Sequence, residues 1–299
     1  MDAILGPTLA IACALTWSAS VVLFMKAGGG QHPLVLNLAK NALAMALMIP
    51  TILVVNGLDV PTMSGSQLAI LALSGLFGIG IADAMVLRAL RGLGASLMAI
   101  VECAYSPFVI VLSIAFLGER LSGARLGGAS LILAAIILAS VTRGAFEGLK
   151  TPRKGLFVSL AWGVAGVGSM AVGIVMIKPI VNELPLLWVI ATRLAAGTLG
   201  SAVLVATLPG RGAAAWKQLL AAKQRGLLLT ACILSTYISM IFWVAGYRYD
   251  DAAAVAVLNQ TATIFTVLFA ALFLDERFTP KMAWATSLAF GGVLLMTFG

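Results

Sequence analysis

Ten long apolar runs organise this chain, over 5–26, 33–56, 66–89, 94–117, 123–142, 155–177, 184–207, 226–247, 252–274 and 281–298. Each approaches or exceeds the ~20 residues a helix needs to cross a bilayer. The apolar residues go around the whole helix rather than along one stripe, as expected where lipid is the solvent. Strands of a membrane barrel would alternate over about ten residues, and no run alternates. The pattern predicts an all-α membrane protein of ten transmembrane helices.

Composition agrees and narrows the field. Of 299 residues, 61% are hydrophobic and 10% are Asp, Glu, Lys or Arg, with mean hydropathy +1.07. A soluble domain carries roughly 25% charged residues, so a soluble globule is excluded. Cys13, Cys103 and Cys232 all fall inside apolar runs and form neither a disulfide framework nor a metal-ligand spacing. Met1-Asp2 lacks the basic start of a cleaved leader, so the first run is expected to remain as a helix. The net charge of +8 fits basic loops at a membrane better than nucleic acid, and no nucleic-acid partner is expected.

The loops carry the orientation. On the side of Met1 lie Arg120, Arg125, Lys178 and Arg248; the other side holds thirteen Lys and Arg, from Lys26 to Lys281. Positive charge concentrates on the cytoplasmic face. Both termini are therefore expected on the non-cytoplasmic side of a bacterial inner membrane.

An internal repeat is visible in the rare charged positions. Phe116-Leu117-Gly118-Glu119-Arg120 recurs as Phe273-Leu274-Asp275-Glu276-Arg277, a shift of 157. The same shift aligns Arg91 with Arg248, Ala95 with Ala252 and Ala99 with Ala256; a shift of 152 aligns Lys26 with Lys178 and Pro33 with Pro185. Lys40 then falls one position from the counterpart of Arg193. The halves divide as 1–147 and 148–299. Five spans per half is odd, so the second half enters from the opposite side. Inverted repeats of this kind build many secondary transporters, with the substrate between the halves.

Ten spans, two inverted five-helix halves and an F-L-x-E-R ending the fourth span of each resemble the drug/metabolite transporter superfamily, and within it the EamA-type branch. The resemblance covers nearly the whole chain. It implies proton-linked or exchange transport of small metabolites, often amino-acid efflux, with no ATP and no cofactor. Length and layout are similar to the YddG-like aromatic amino-acid exporters of that branch. The implied partners are a small-molecule substrate such as an amino acid, the lipid bilayer and, as a candidate coupling ion, the proton. The alternative is a facilitator or exchanger of another small or lipid-like solute without proton coupling.

Four ionisable groups stand inside apolar runs: Lys40, Asp83, Glu102 and Arg193. Such groups are costly in lipid and face a cavity or a partner. Lys40, Asp83 and Glu102 share one depth in the cytoplasmic half, so Lys40 is expected to pair with Asp83 or with Glu102. That pair is either a permanent salt bridge fixing helix packing or a switchable gate that carries a proton. Arg193 has no carboxylate at its depth. It either bonds backbone carbonyls or attracts a substrate carboxylate. Glu119, Arg120, Glu276 and Arg277 read either as solvated helix corners or as a gate latch on each face.

Span four concentrates the polar chemistry. Pro107 removes the helical partner of the Cys103 carbonyl and should kink the helix beside Glu102, Tyr105 and Ser106. Span nine answers with Asn259, the counterpart of Glu102, and with Gln260, Thr261 and Thr263. Trp17, Tyr105, Trp162 and Tyr237 lie deep in their spans, where a ring with a polar handle needs a partner. With Glu102, Arg193, Asn259 and Gln260 they form the expected substrate pocket. Trp243, Tyr247, Tyr249, Trp216 and Trp284 read as interfacial anchors. Glycines stud spans three and six, and Gly123 with Gly127 forms a GxxxG, for which internal packing is the commoner cause. A monomer or weak dimer is expected. An enzyme is not: His32 is the only histidine, and no HExxH, GxSxG or phosphate loop is present.

Overall fold

The computed structural model describes residues 2–27, 31–117, 123–141, 153–208, 212–249, 255, 258–274 and 280–298. Every regular element among them is helical. Seven helical stretches there are long and apolar enough to cross a membrane. Glu119, Arg120, Glu276 and Arg277, the expected corner residues, lie outside the described residues, as does the boundary at 147.

Helices α1 (Asp2–Lys26) and α2 (Pro33–Asn56) come first. α3 (Gly65–Gly75) begins on a capping box, in which Ser64 and Gln67 satisfy each other's backbone N–H. It continues through a π-helical segment, Leu76–Ile81, into α4 (Ala82–Leu93). Gly94, at φ 79°, turns the chain at once into α5 (Ala95–Glu102); only glycine takes that conformation without strain. α6 (Tyr105–Leu117) and α7 (Gly123–Val141) complete the first half.

The second half holds α8 (Arg153–Ile177) and α9 (Leu186–Ala206), then a short helix α10 (Gly212–Leu220) that sequence periodicity did not separate from its loop. α11 (Arg225–Cys232), a second π segment over Ile233–Ile238, and α12 (Ser239–Tyr249) form one continuous rod. α13 (Thr261–Phe273) and α14 (Pro280–Phe298) follow.

The repeat reaches into backbone geometry. The π segments at 76–81 and 233–238 are related by the same shift of 157 as the charged motifs. A π turn widens the helix and leaves carbonyls without their usual partners. Side chains from neighbouring helices supply donors to the first of them. Asn37 Nδ2 donates to the Ile79 and Gly80 carbonyls at 3.2 and 2.9 Å, and Ser169 Oγ to the Phe77 carbonyl at 2.8 Å.

The helix breaks repeat as well. Span four is interrupted at Cys103–Ala104, between α5 and α6, and α13 begins after a turn at Gln260. Pro107 therefore lies just beyond a full break, not at a kink: the unpaired Cys103 carbonyl expected from its ring sits in the break itself. The two breaks touch. Cys103 Sγ lies 3.2 Å from Thr263 Oγ1, and Gln260 Nε2 donates to Ser106 Oγ at 3.2 Å. Residues 260 and 263 are the repeat mates of 103 and 106, so the two contacts are one contact made twice about a pseudo-two-fold axis. Consecutive residues of α1 tie both breaks: Trp17 Nε1 donates to Glu102 Oε2 at 3.2 Å, and Ser18 Oγ to the Ala262 carbonyl at 2.9 Å.

Close approach of small residues brings the halves together. A Cβ on Gly75 would lie 2.0 Å from the carbonyl oxygen of Arg193, so α3 and α9 cross with their backbones in contact. Gly123 faces open space and Gly127 meets Leu295 of the same chain.

Candidate functional site

A cavity of about 150 Å³ lies where the breaks and the π segments converge. Glu102, Tyr105, Asn259, Gln260 and Thr263 line it from the two breaks. Gly78 and Ile79 reach it from the first π segment, and Ser235 from the second. Trp17 of α1, Asp83 of α4, Arg193 of α9 and Trp243 of α12 close the walls. Both repeats thus contribute.

Lys40 and Asp83 form the ion pair expected from their depth, and Glu102 takes no part in it. Lys40 Nζ also donates to Asn41 Oδ1 at 3.2 Å and to Thr236 Oγ1 at 3.0 Å. An ammonium has three donors, and all three are used. With both residues buried, at 2% and 7% exposed, the pair is self-contained. Thr236 belongs to the second π segment, so the contact joins the second span of one half to the third-from-last rod of the other.

Arg193, on the corresponding span of the second half, bonds the third span of the first. It is 1% exposed, and its Nε donates to Ser74 Oγ at 2.8 Å, two residues before the first π segment. Ser74 in turn donates to the Gly173 carbonyl at 2.6 Å. The guanidinium lies 5.8 Å from the centre of the Trp243 ring, and a Cβ on Gly78 would sit 3.3 Å from Nη2. Nη1 has no hydrogen-bond partner. Neither of the two sequence alternatives is met in full: the group bonds a hydroxyl, keeps donors spare and has no ion pair among the described residues.

Glu102 is the opposite case. Its one described partner is the Trp17 indole, and no cation pairs with it among the described residues. The four intramembrane charges therefore divide into one satisfied pair, Lys40–Asp83, and two unpaired groups of opposite sign that line the same cavity.

The aromatic assignments change. Trp17 and Tyr105 line the cavity as expected. Trp162 does not: its ring lies 4.6 Å beneath the Arg88 guanidinium and packs against a core cluster drawn from both halves. Tyr237 turns away too, its hydroxyl bonded to Thr51 of α2. Trp243 and Tyr247, read from sequence as interfacial anchors, face inward. Trp243 lines the cavity, and Tyr247 stands edge-on to it, ring centres 5.7 Å apart, beside Tyr105 and Asn259. A position four residues from the end of an apolar run fits either role, and a single run does not say which way its helix turns. Sequence reading also missed Ser74, Gly78 and Ser235. The spacing of Ser74 and Gly78, one helical turn apart on a buried face, was the available signal.

The EamA-like transporter family matches the chain twice, over residues 4–141 and 157–298, and the chain belongs to that family. It is accordingly a multi-pass membrane protein of a family of transporters. A solved structure titled only as the crystal structure of a protein superimposes with TM-score 0.66 and 17% identity, covering 98% of this chain and 96% of that one; it supports the fold alone. No curated protein matches.

Proposed function

We propose that the protein is a secondary transporter that exports small zwitterionic metabolites, amphipathic or aromatic amino acids among them, across a bacterial inner membrane. One observation carries the reading: a buried guanidinium with an unused donor and a half-buried carboxylate without a cation face one cavity. Leaving either charge unpaired in a low dielectric is costly. A ligand bearing a carboxylate and an ammonium neutralises both at once, and Trp17, Tyr105 and Trp243 offer flat apolar walls for its body.

Movement follows from the repeat. The halves, 1–147 and 148–299, are inverted copies of five helices each, and exchange of conformation between them alternates access to the cavity. The crossed contacts Lys40–Thr236 and Arg193–Ser74 join the two halves across the cavity in this state. The basic loops face the cytoplasm, with both termini outside.

Glu102 is the group through which a proton would couple, since Lys40–Asp83 is already satisfied. Purified protein in liposomes, loaded with amino acids and assayed with and without a pH gradient, tests this. Wild type should exchange amino acids, and Glu102→Gln should lose dependence on the gradient. Exchange of none would refute the amino-acid cargo; unchanged pH dependence in Glu102→Gln with full activity would favour exchange without protons at this site.

A further inference from the structure

Three polar atoms at one end of the cavity are left without partners: the Tyr105 hydroxyl and both Oδ1 and Nδ2 of Asn259. Both residues line the cavity, on opposite breaks. Buried polar atoms in native proteins are almost always bonded, and an exception asks for a partner. The Arg193 and Glu102 charges do not answer this need, because each calls for an ion, whereas an amide and a phenol call for a neutral group.

The neighbourhood supplies that group only in part. Tyr247 is the hydrogen-bonding neighbour of both Tyr105 and Asn259, though none of the three atoms reaches ordinary hydrogen-bond geometry. Its hydroxyl can accept from Tyr105 and give its one proton to Asn259 Oδ1, which leaves Asn259 Nδ2 without an acceptor. The adjacent pair, Gln260 with Ser106, is already engaged. Asn259 is also the repeat mate of Glu102. The same position thus presents a charge in one half and a neutral amide, able to give and accept, in the other.

From this we infer that Asn259 and Tyr105, with Tyr247 behind them, form a side-chain subsite that reads a neutral hydrogen-bonding group, a hydroxyl or a carboxamide, on the transported solute. The inference rests on the zwitterion reading above, which places the charged end of the solute at Arg193 and Glu102. A primary carboxamide suits the site best, since it meets Asn259 with a donor and an acceptor at once. An apolar side chain of equal size would bury Asn259 unpaired. Sites built around a hydrogen bond reject the analogue that lacks it far more strongly than apolar pockets distinguish sizes.

Counterflow into liposomes with near-isosteric pairs tests it: asparagine against leucine, threonine against valine, tyrosine against phenylalanine. The polar member of each pair should compete at least about ten-fold better in wild type. Asn259→Leu, a substitution of similar volume, should bring the ratio for asparagine and leucine to one or reverse it, with an unchanged gel-filtration profile and helical circular dichroism showing the variant folded. Asn259→Gln should retain part of the preference. Equal competition by polar and apolar members in wild type, or an unchanged ratio in Asn259→Leu, would overturn the subsite and leave the zwitterion reading standing. Exchange of neither member of any pair would overturn both.

Discussion

Removing one partner of the Lys40–Asp83 pair should cost far more than removing both. Lys40→Met leaves the Asp83 carboxylate, 7% exposed, with no cation among the described residues. An uncompensated buried charge costs about 3–5 kcal/mol, and Asp83→Asn strands the ammonium in the same way. The double variant removes both charges. Its remaining loss is the hydrogen bonds to Asn41 and Thr236, about 1 kcal/mol each. Denaturation in mixed micelles, followed by tryptophan fluorescence, gives the four corners of the cycle. A double variant more stable than either single by about 1–3 kcal/mol, and so far from additive, is the expected outcome. Singles that are silent, or a double equal to the sum of the singles, would refute the description of this pair as a self-contained structural unit.

Two other perturbations follow from contacts between the halves. Gly75→Ala places a methyl 2.0 Å from the Arg193 carbonyl oxygen; backbone cannot yield there, so destabilisation of about 1–3 kcal/mol is expected, seen as earlier unfolding in the same micelle assay. Thr263→Cys sets a second thiol where Thr263 Oγ1 lies 3.2 Å from Cys103 Sγ. Mild oxidant should cross-link the two breaks, with loss of free thiol measured by mass, and arrest exchange until a reductant is added; full exchange in the cross-linked form would show that the breaks need not part.

Much of the fold was legible because lipid simplifies the code. Apolar runs of membrane-crossing length mark spans directly, and charges are so rare that Glu119-Arg120 and Glu276-Arg277 expose the repeat. The disturbance near Pro107 was legible only as a kink; the full break at Cys103–Ala104, and its mate at Gln260 where no proline stands, were not. Depth was legible too, and it paired Lys40 with Asp83. Facing was not. In lipid the outer and inner faces of a helix are both apolar, so Trp162 and Trp243 look alike in sequence while one packs under Arg88 and the other lines the cavity. The π segments were equally hidden. Leu76–Ile81 and Ile233–Ile238 share position in the repeat without sharing polar pattern, because the compensating donor, Asn37, comes from another helix.

The asymmetry between the two unpaired charges and the paired ones is what turns a helical membrane fold into a site. Lys40–Asp83 could be exchanged for well-packed apolar groups with little loss. Arg193 and Glu102 have no such internal account, and Ser74 spends one donor of Arg193 only to aim the rest.

The direct test of that account is competition at Arg193. In liposome counterflow, an amino acid should be compared with its carboxamide derivative, which keeps the ammonium and loses the anion. Wild type should prefer the free acid by about 10- to 100-fold, the worth of a charge-assisted hydrogen bond set. Arg193→Gln should abolish the preference. Equal competition by acid and amide in wild type, or a preference that survives Arg193→Gln, would contradict the claim that this guanidinium holds the substrate carboxylate.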